Sequence, residues 1–202
     1  KDNSIKDLKE FFHVYPNTNL PNFLSKNTKL LYSELVSLGN TLLAWLDDLT
    51  PNNIKSEFSE SLFNMSKGSD RNLLRVLHYP PIESEVEQGA IRAAAHEDIN
   101  LITLLVSGSQ PGLEAMDMNG VWHKVPVDKG MITVNVGDML QMASNKYFPS
   151  TSHRVVNPEN SKQNVSRFSL PMFMHPRNEV ILSSGITAFD YLQERLKEIN
   201  LK

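Results

Sequence analysis

The chain has 202 residues, enough to bury one substantial core, and its 40% hydrophobic and 21% charged residues are ordinary for a globular protein. A net charge of −3 offers no broad basic field, so neither nucleic acid nor an anionic membrane surface is expected as a partner. Cysteine is absent, which excludes disulfides, thiolate metal sites and cysteine nucleophiles and leaves nitrogen and oxygen to hold any metal. No apolar run approaches the ~20 residues of a membrane span and no signal peptide is visible, so a cytoplasmic location is the expectation. The chain opens on Lys1 without a methionine, and an N-terminal segment is expected to be missing.

Residues 1–27 are polar and punctuated by Pro16 and Pro21; they read as an irregular surface segment that packs through Phe11, Phe12 and Tyr15. Over 28–48, apolar residues recur at Leu31, Leu35, Leu38, Leu42, Trp45 and Leu46, the spacing of a buried helix face, and Pro51 follows its end. Residues 52–66 suggest a second, shorter helix. From Asn72 the texture changes to short apolar runs: "NLLRVLHY", "NLITLLV", "GLEAM", "MITVNV", "DMLQMA", "HRVV", "RFSLPMFM" and "EVIL". Turn residues separate them. Asn119-Gly120 signals a hairpin, and Gly137-Asp138 reads as a turn before a strand. Many short strands argue for a sandwich or barrel rather than a βαβ sheet. "TAFDYLQERLKEINLK" reads as an amphipathic C-terminal helix. The expected organisation is one domain: a helical and irregular flank at 1–71, a β core at 72–182 and a helix at 183–202.

The run "AIRAAAHEDINLITLL" at 90–105 reads as strand interrupted by His96, Glu97 and Asp98. In a strand, residues two apart share a face, so His96 and Asp98 would point together and Glu97 away. A second histidine would complete the set of two histidines and one carboxylate that holds non-haem Fe(II) with open positions. His153, at the start of "HRVV", is the candidate. Arg167 and Ser169 in "SRFSLP" form another same-face pair, whose donors suit the carboxylate of an organic acid. Each element also has a bland reading: a solvated strand end, a hydrogen-bonded histidine, an exposed strand face. The ordered set is more specific than its parts.

In that order the sequence resembles the isopenicillin-N-synthase-like branch of the Fe(II)/2-oxoglutarate-dependent dioxygenases. The stretches are "HYPP" at 78–81, "HEDINLITLL" at 96–105, "PGLEAMDMNGVWHKVP" at 111–126, "NVGDML" at 135–140, "HRVVNP" at 153–158 and "RFSLPMFMHP" at 167–176. They cover 72–182, over half of the chain, and "DLKEFFHVYP" at 7–16 resembles the segment before the family's long helix. The resemblance implies a double-stranded β-helix, a jelly-roll barrel of the cupin-like kind, mainly β with flanking helices. It implies Fe(II) on His96, Asp98 and His153. It implies 2-oxoglutarate with its distal carboxylate on Arg167 and Ser169, and Tyr79 beside it. Many plant members carry asparagine where this chain has Leu77. The stretch from His153 to Arg167 is a few residues longer than usual, with "PENSKQN" as an extended hairpin loop.

The activity so implied is oxidation of a small molecule, by hydroxylation or desaturation, with O2 consumed and succinate and CO2 released; ascorbate is a candidate reductant. Two alternatives stay open. An oxidase of the isopenicillin N synthase type would use the same iron ligands without 2-oxoglutarate, and a non-catalytic jelly-roll module would only bind a metal or ligand. Among other residues, Asn135, Trp122 and Phe148 read as structural, and the eight methionines as core fillers. Phe173 and His175 are candidates to line the pocket. His78 would face away from it, and Arg154 would brace its strand through an ion pair.

Overall fold

The computed structural model describes residues 7–82, 89–160 and 164–198. Its elements in chain order begin with β1 (Glu10–Val14), α1 (Asn27–Leu49), α2 (Asn52–Lys55), α3 (Leu62–Ser66) and β2 (Leu73–Tyr79). There follow β3 (Ala93–His96), β4 (Ile102–Val106), β5 (Leu113–Met116), β6 (Trp122–Lys124), β7 (Ile132–Val136) and α4 (Asp138–Ala143). The last are β8 (His153–Val155), β9 (Arg167–Met174), β10 (Ile181–Ser183), β11 (Ile186–Thr187) and α5 (Ala188–Glu198). A five-stranded sheet in the order β1-β2-β9-β4-β7 and a four-stranded sheet in the order β3-β8-β5-β6 make the jelly roll, with antiparallel pairing throughout. The β5–β6 hairpin turns at Asn119-Gly120, where Gly120 adopts φ 80°.

Period two sorts the large sheet into two faces. Leu74 of β2, Ile102 and Leu104 of β4, and Met172 and Met174 of β9 belong to the main core with Tyr32, Leu35, Leu43, Leu62 and Met65 of the helices. The intervening residues, Arg75, Leu77 and Tyr79, Thr103 and Leu105, and Ser169, Pro171 and Phe173, line a pocket between the sheets. The long helix therefore buttresses the back of the sheet that carries the site. Its approach is close: a β-carbon on Gly39 would stand 2.7 Å from the Met174 sulfur. Asp47, near the end of α1, accepts hydrogen bonds from the backbone N–H groups of Leu62 (2.7 Å) and Phe63 (2.9 Å), which docks the start of α3.

Several expectations are corrected. Residues 10–14, within the segment read as irregular, form β1, an edge strand in full register with β2; its alternation is hidden because Phe11 and Phe12 are adjacent and Phe11 is exposed. On α1 the expected face does pack on the core through Leu31, Leu35, Leu38, Leu42 and Leu46, with Tyr32, Gly39 and Leu43 buried beside it; only Trp45 of that face is largely exposed. The expected helix at 52–66 is two short helices, α2 and α3. "DMLQMA" is the helix α4, burying Met139, Leu140 and Ala143, so Gly137-Asp138 precedes a helix rather than a strand. His96 and Asp98 do not share a strand: β3 ends at His96, and Asp98 lies in the crossing from the small sheet to the large one. The expectations at 1–6 and 199–202, and the centre of the extended loop at 161–163, lie outside the described residues.

Candidate active site

The crossing 97–101 is fixed by the start of α4. The backbone N–H groups of Gly137, Asp138 and Met139 donate to the carbonyls of Leu101 (3.0 Å), Asp98 (2.7 Å) and Asn100 (3.1 Å). Asp98 is thereby held at the lip of the barrel, buried, while the β3–β8 ladder sets His96 directly opposite His153. One Asp98 oxygen is committed within the protein: Oδ2 accepts from Thr103 Oγ1 at 2.6 Å and from Asn135 Nδ2 at 2.9 Å. Thr103 in turn accepts from Asn100 Nδ2 at 2.9 Å. Burial alone would push the Asp98 carboxyl up. The His153 imidazole and the Asn135 and Thr103 hydrogen bonds outweigh it and hold the group below its ordinary range.

The free oxygen, Oδ1, lies 3.7 Å from His153 Nε2. Nδ1 of His153 is 3.0 Å from the Thr151 carbonyl, and Nδ1 of His96 is 2.7 Å from that of Ala94. Carbonyls only accept, so Nδ1 of each imidazole is the donor to the backbone and Nε2 is the nitrogen left toward the Asp98 side. One ligand atom from each of the three residues lies within 4.8 Å of the others. Two imidazole nitrogens and one carboxylate oxygen, each oriented by a hydrogen bond on its far side, make a donor set that could hold Fe(II).

Arg167 and Ser169 are both buried and line the same pocket, of about 710 Å3 including its mouth. Arg167 Nε donates to the Gln110 carbonyl at 2.9 Å, and its guanidinium sits 5.1 Å from the Tyr79 ring centroid. Its buried Nη1 has no hydrogen-bond partner. A buried guanidinium N–H left open, with Ser169 two residues on along the same strand face, is suited to receive a carboxylate. Gly108 makes the room, since a β-carbon there would stand 2.9 Å from Arg167 Nη2.

The remaining sequence candidates fall on both sides of the wall. Leu77 and Phe173 line the pocket, whereas His175 does not: its backbone N–H donates to Asn72 and its ring approaches the Phe173 carbonyl. His78 faces away and stacks on Phe168. Arg154 pairs with Glu114 at 2.8 Å and lies over Trp122. Phe148 packs against the main core. Asn135, read as structural, reaches the Asp98 carboxylate. Thr103, Arg75 and Lys9 also line the pocket and are not among the sequence candidates. Counting in twos back from Tyr79 finds Arg75, and the strand run that starts at Ile102 contains Thr103. Lys9 carries no comparable signal; it is ion-paired with Asp7 at 2.6 Å.

Residues 71–176 match the 2OG-Fe(II) oxygenase superfamily. A 2-oxoglutarate-Fe(II) type oxidoreductase of Metarhizium rileyi is 36% identical over 142 residues, which are 61% of this chain and 40% of that protein. The chain thus spans about two fifths of the length of the curated relatives it matches first. Among solved structures, a candidate oxygenase from Shewanella oneidensis superposes with a TM-score of 0.86 at 50% identity, over 98% of this chain and 71% of that one. A Neurospora crassa protein in complex with alpha-KG and thymine superposes with a TM-score of 0.77 at 25% identity, over 96% of this chain and 66% of that one.

Proposed function

The chain belongs to the 2OG-Fe(II) oxygenase superfamily, and from that premise we propose that it is an Fe(II)- and 2-oxoglutarate-dependent oxygenase of a small-molecule substrate. The observation that carries the reading is the division of labour at Asp98: one oxygen is saturated by Thr103 and Asn135, and the other faces the ring nitrogens of His96 and His153. Such a carboxylate would offer a metal one oxygen, with His96 and His153 as the other two donors.

Arg167, Ser169 and Tyr79 would hold the distal carboxylate of 2-oxoglutarate. The unpartnered Nη1 and the Ser169 hydroxyl would donate to its oxygens, with the Tyr79 ring beside the guanidinium. The apolar wall of Leu77, Leu113 and Val155 flanks this end and keeps competing water off the ion pair. When bound, iron and 2-oxoglutarate would supply the oxidising power, coupling conversion of 2-oxoglutarate and O2 to succinate and CO2 with hydroxylation or desaturation of the substrate. The chain orients these partners. It reads as one catalytic domain with a helical flank. Among the described residues no helix is long and apolar enough to cross a membrane, and the reading places the protein in the cytoplasm, without nucleic acid or membrane as partner.

Anaerobic titration with Fe(II) and 2-oxoglutarate tests the reading through the weak visible charge-transfer band of the chelate. The expected result is a band in the wild type that His153→Ala abolishes. Iron binding without a band would transfer the site to the oxidase alternative, and failure to bind iron would leave a non-catalytic module.

A further inference from the structure

Arg75 has no part in the site as described so far, yet it lines the same pocket. It faces inward from the middle of β2, four residues before Tyr79, which is roughly 13 Å along the strand. The Tyr79–Arg167 end receives 2-oxoglutarate in the reading above; Arg75 stands toward the other end of the same ladder, where Leu73 pairs with Phe173.

The protein holds this guanidinium in place without neutralising it. Nε donates to Nε2 of His13, 2.9 Å away and directly opposite on β1. The Phe11 and Phe173 rings flank it, with Cζ 4.8 and 5.0 Å from their centroids. Its structural hydrogen bond therefore goes to an imidazole and not to an acid. Among the described residues no carboxylate is ion-paired with it. Asp98 acts on it only from a distance. Neither Nη1 nor Nη2 has a hydrogen bond within the described residues.

The charges of the loaded site leave Arg75 over. Fe(II) carries two positive charges, Asp98 one negative, 2-oxoglutarate two negative and Arg167 one positive, so these cancel. Lys9 is paired with Asp7. Arg75 is half-buried, and its guanidinium is open to the pocket with no carboxylate on it, so an arriving anion finds an unpaired charge. We infer that Arg75 anchors the substrate, and that the substrate is an organic acid whose carboxylate is held end-on by Nη1 and Nη2, with its carbon skeleton against Phe173, Pro171 and Leu105. This rests on the oxygenase reading. The carbon to be oxidised then lies between the carboxylate and the metal, and the two guanidiniums sort the two acids by position: cosubstrate at Arg167, substrate at Arg75.

The test is calorimetric titration of the full chain loaded anaerobically with Mn(II) in place of iron. 2-Oxoglutarate is titrated first; if it does not bind, the oxygenase reading fails before Arg75 is in question. The ternary complex is then titrated with benzoate, phenylacetate, hexanoate and octanoate, each beside its primary amide. At least one acid is expected to bind about tenfold or more tightly than its amide, the worth of a charge-assisted pair. In Arg75→Gln that preference collapses while 2-oxoglutarate affinity is kept. Amides that match their acids throughout, absence of binding by any acid, or a preference that survives Arg75→Gln would overturn the inference. Should Arg75→Gln also lose 2-oxoglutarate, Arg75→Lys decides: it keeps the charge but not the two-point grip, and an undiminished acid preference there overturns it too.

Discussion

Gly137 lies so close to Asn100 that a β-carbon on it would stand 2.3 Å from both the backbone and the side-chain oxygen of that residue. It would also stand 2.8 Å from the Asp98 carbonyl. The backbone of Gly137 is extended and not left-handed, so the demand is for space alone. Gly137→Ala is expected to push the 98–101 crossing away from α4 and to weaken Fe(II) binding by about tenfold or more, with the circular dichroism spectrum kept. Unchanged affinity would show that the crossing relaxes freely.

The paired hydrogen bonds on Asp98 Oδ2 give a second expectation. Asn135→Leu and Thr103→Val each leave one lone pair of a buried carboxylate unsatisfied and free that oxygen to compete for the metal. Each is expected to lower Fe(II) affinity about 10- to 100-fold by calorimetry. The double variant should lose less than the two effects multiplied, because both act on one atom. Full additivity would mean that the two residues act elsewhere.

Gly108→Ala acts at the other end of the pocket. Its methyl group would displace the Arg167 guanidinium, so 2-oxoglutarate affinity should fall about tenfold while metal affinity in its absence stays put. Ser169→Ala, which removes one neutral donor, should lower it by less. A loss of metal affinity in Gly108→Ala would show that the substitution deforms the barrel rather than the anion site.

Stability should depend on pH through His13 and His175, both pushed down to about 4, chiefly by burial. A histidine with a lowered folded pKa binds its proton more readily when unfolded. Between the unfolded value of about 6.5 and the folded value of about 4, the unfolded state therefore takes up the proton and stability falls as the solution is acidified. The melting temperature should be flat above about pH 7 and drop from about pH 6.5 toward about 4. His175→Gln, which cannot titrate, should flatten that slope, while an identical slope would assign the acid sensitivity to other groups.

The order His96, Asp98, His153, Arg167, Ser169 is legible in the sequence as a series of motifs; strand alternation accounts for Arg167 and Ser169 on β9, but not for His96 and Asp98, which the crossing out of β3 brings together. What misleads is the phase. In β7 the apolar Ile132 and Val134 are exposed while Thr133 and Asn135 face inward, and in β9 Phe168 is half exposed while Arg167 and Ser169 are buried. The barrel interior mixes polar residues with an apolar wall, so at these strands the inward positions are not the apolar ones, and Asn135 and Thr103 look like filler in the sequence. α4 is hidden because a six-residue helix has too few turns to show a 3.6-residue period. The role of its N-terminal amides is set by their contact with residues 98–101, far back in the chain, which local pattern does not carry.

Arg75, Leu77 and Tyr79 share one strand and one face. They are therefore inherited as a unit. A deletion of one residue within β2 would slip the ladder by a single place and present Leu74, Val76 and His78 to the interior instead, at one stroke removing the substrate anchor and the cosubstrate's tyrosine. Point substitution can retune this wall residue by residue, whereas changes of length are confined to the turns that bound it.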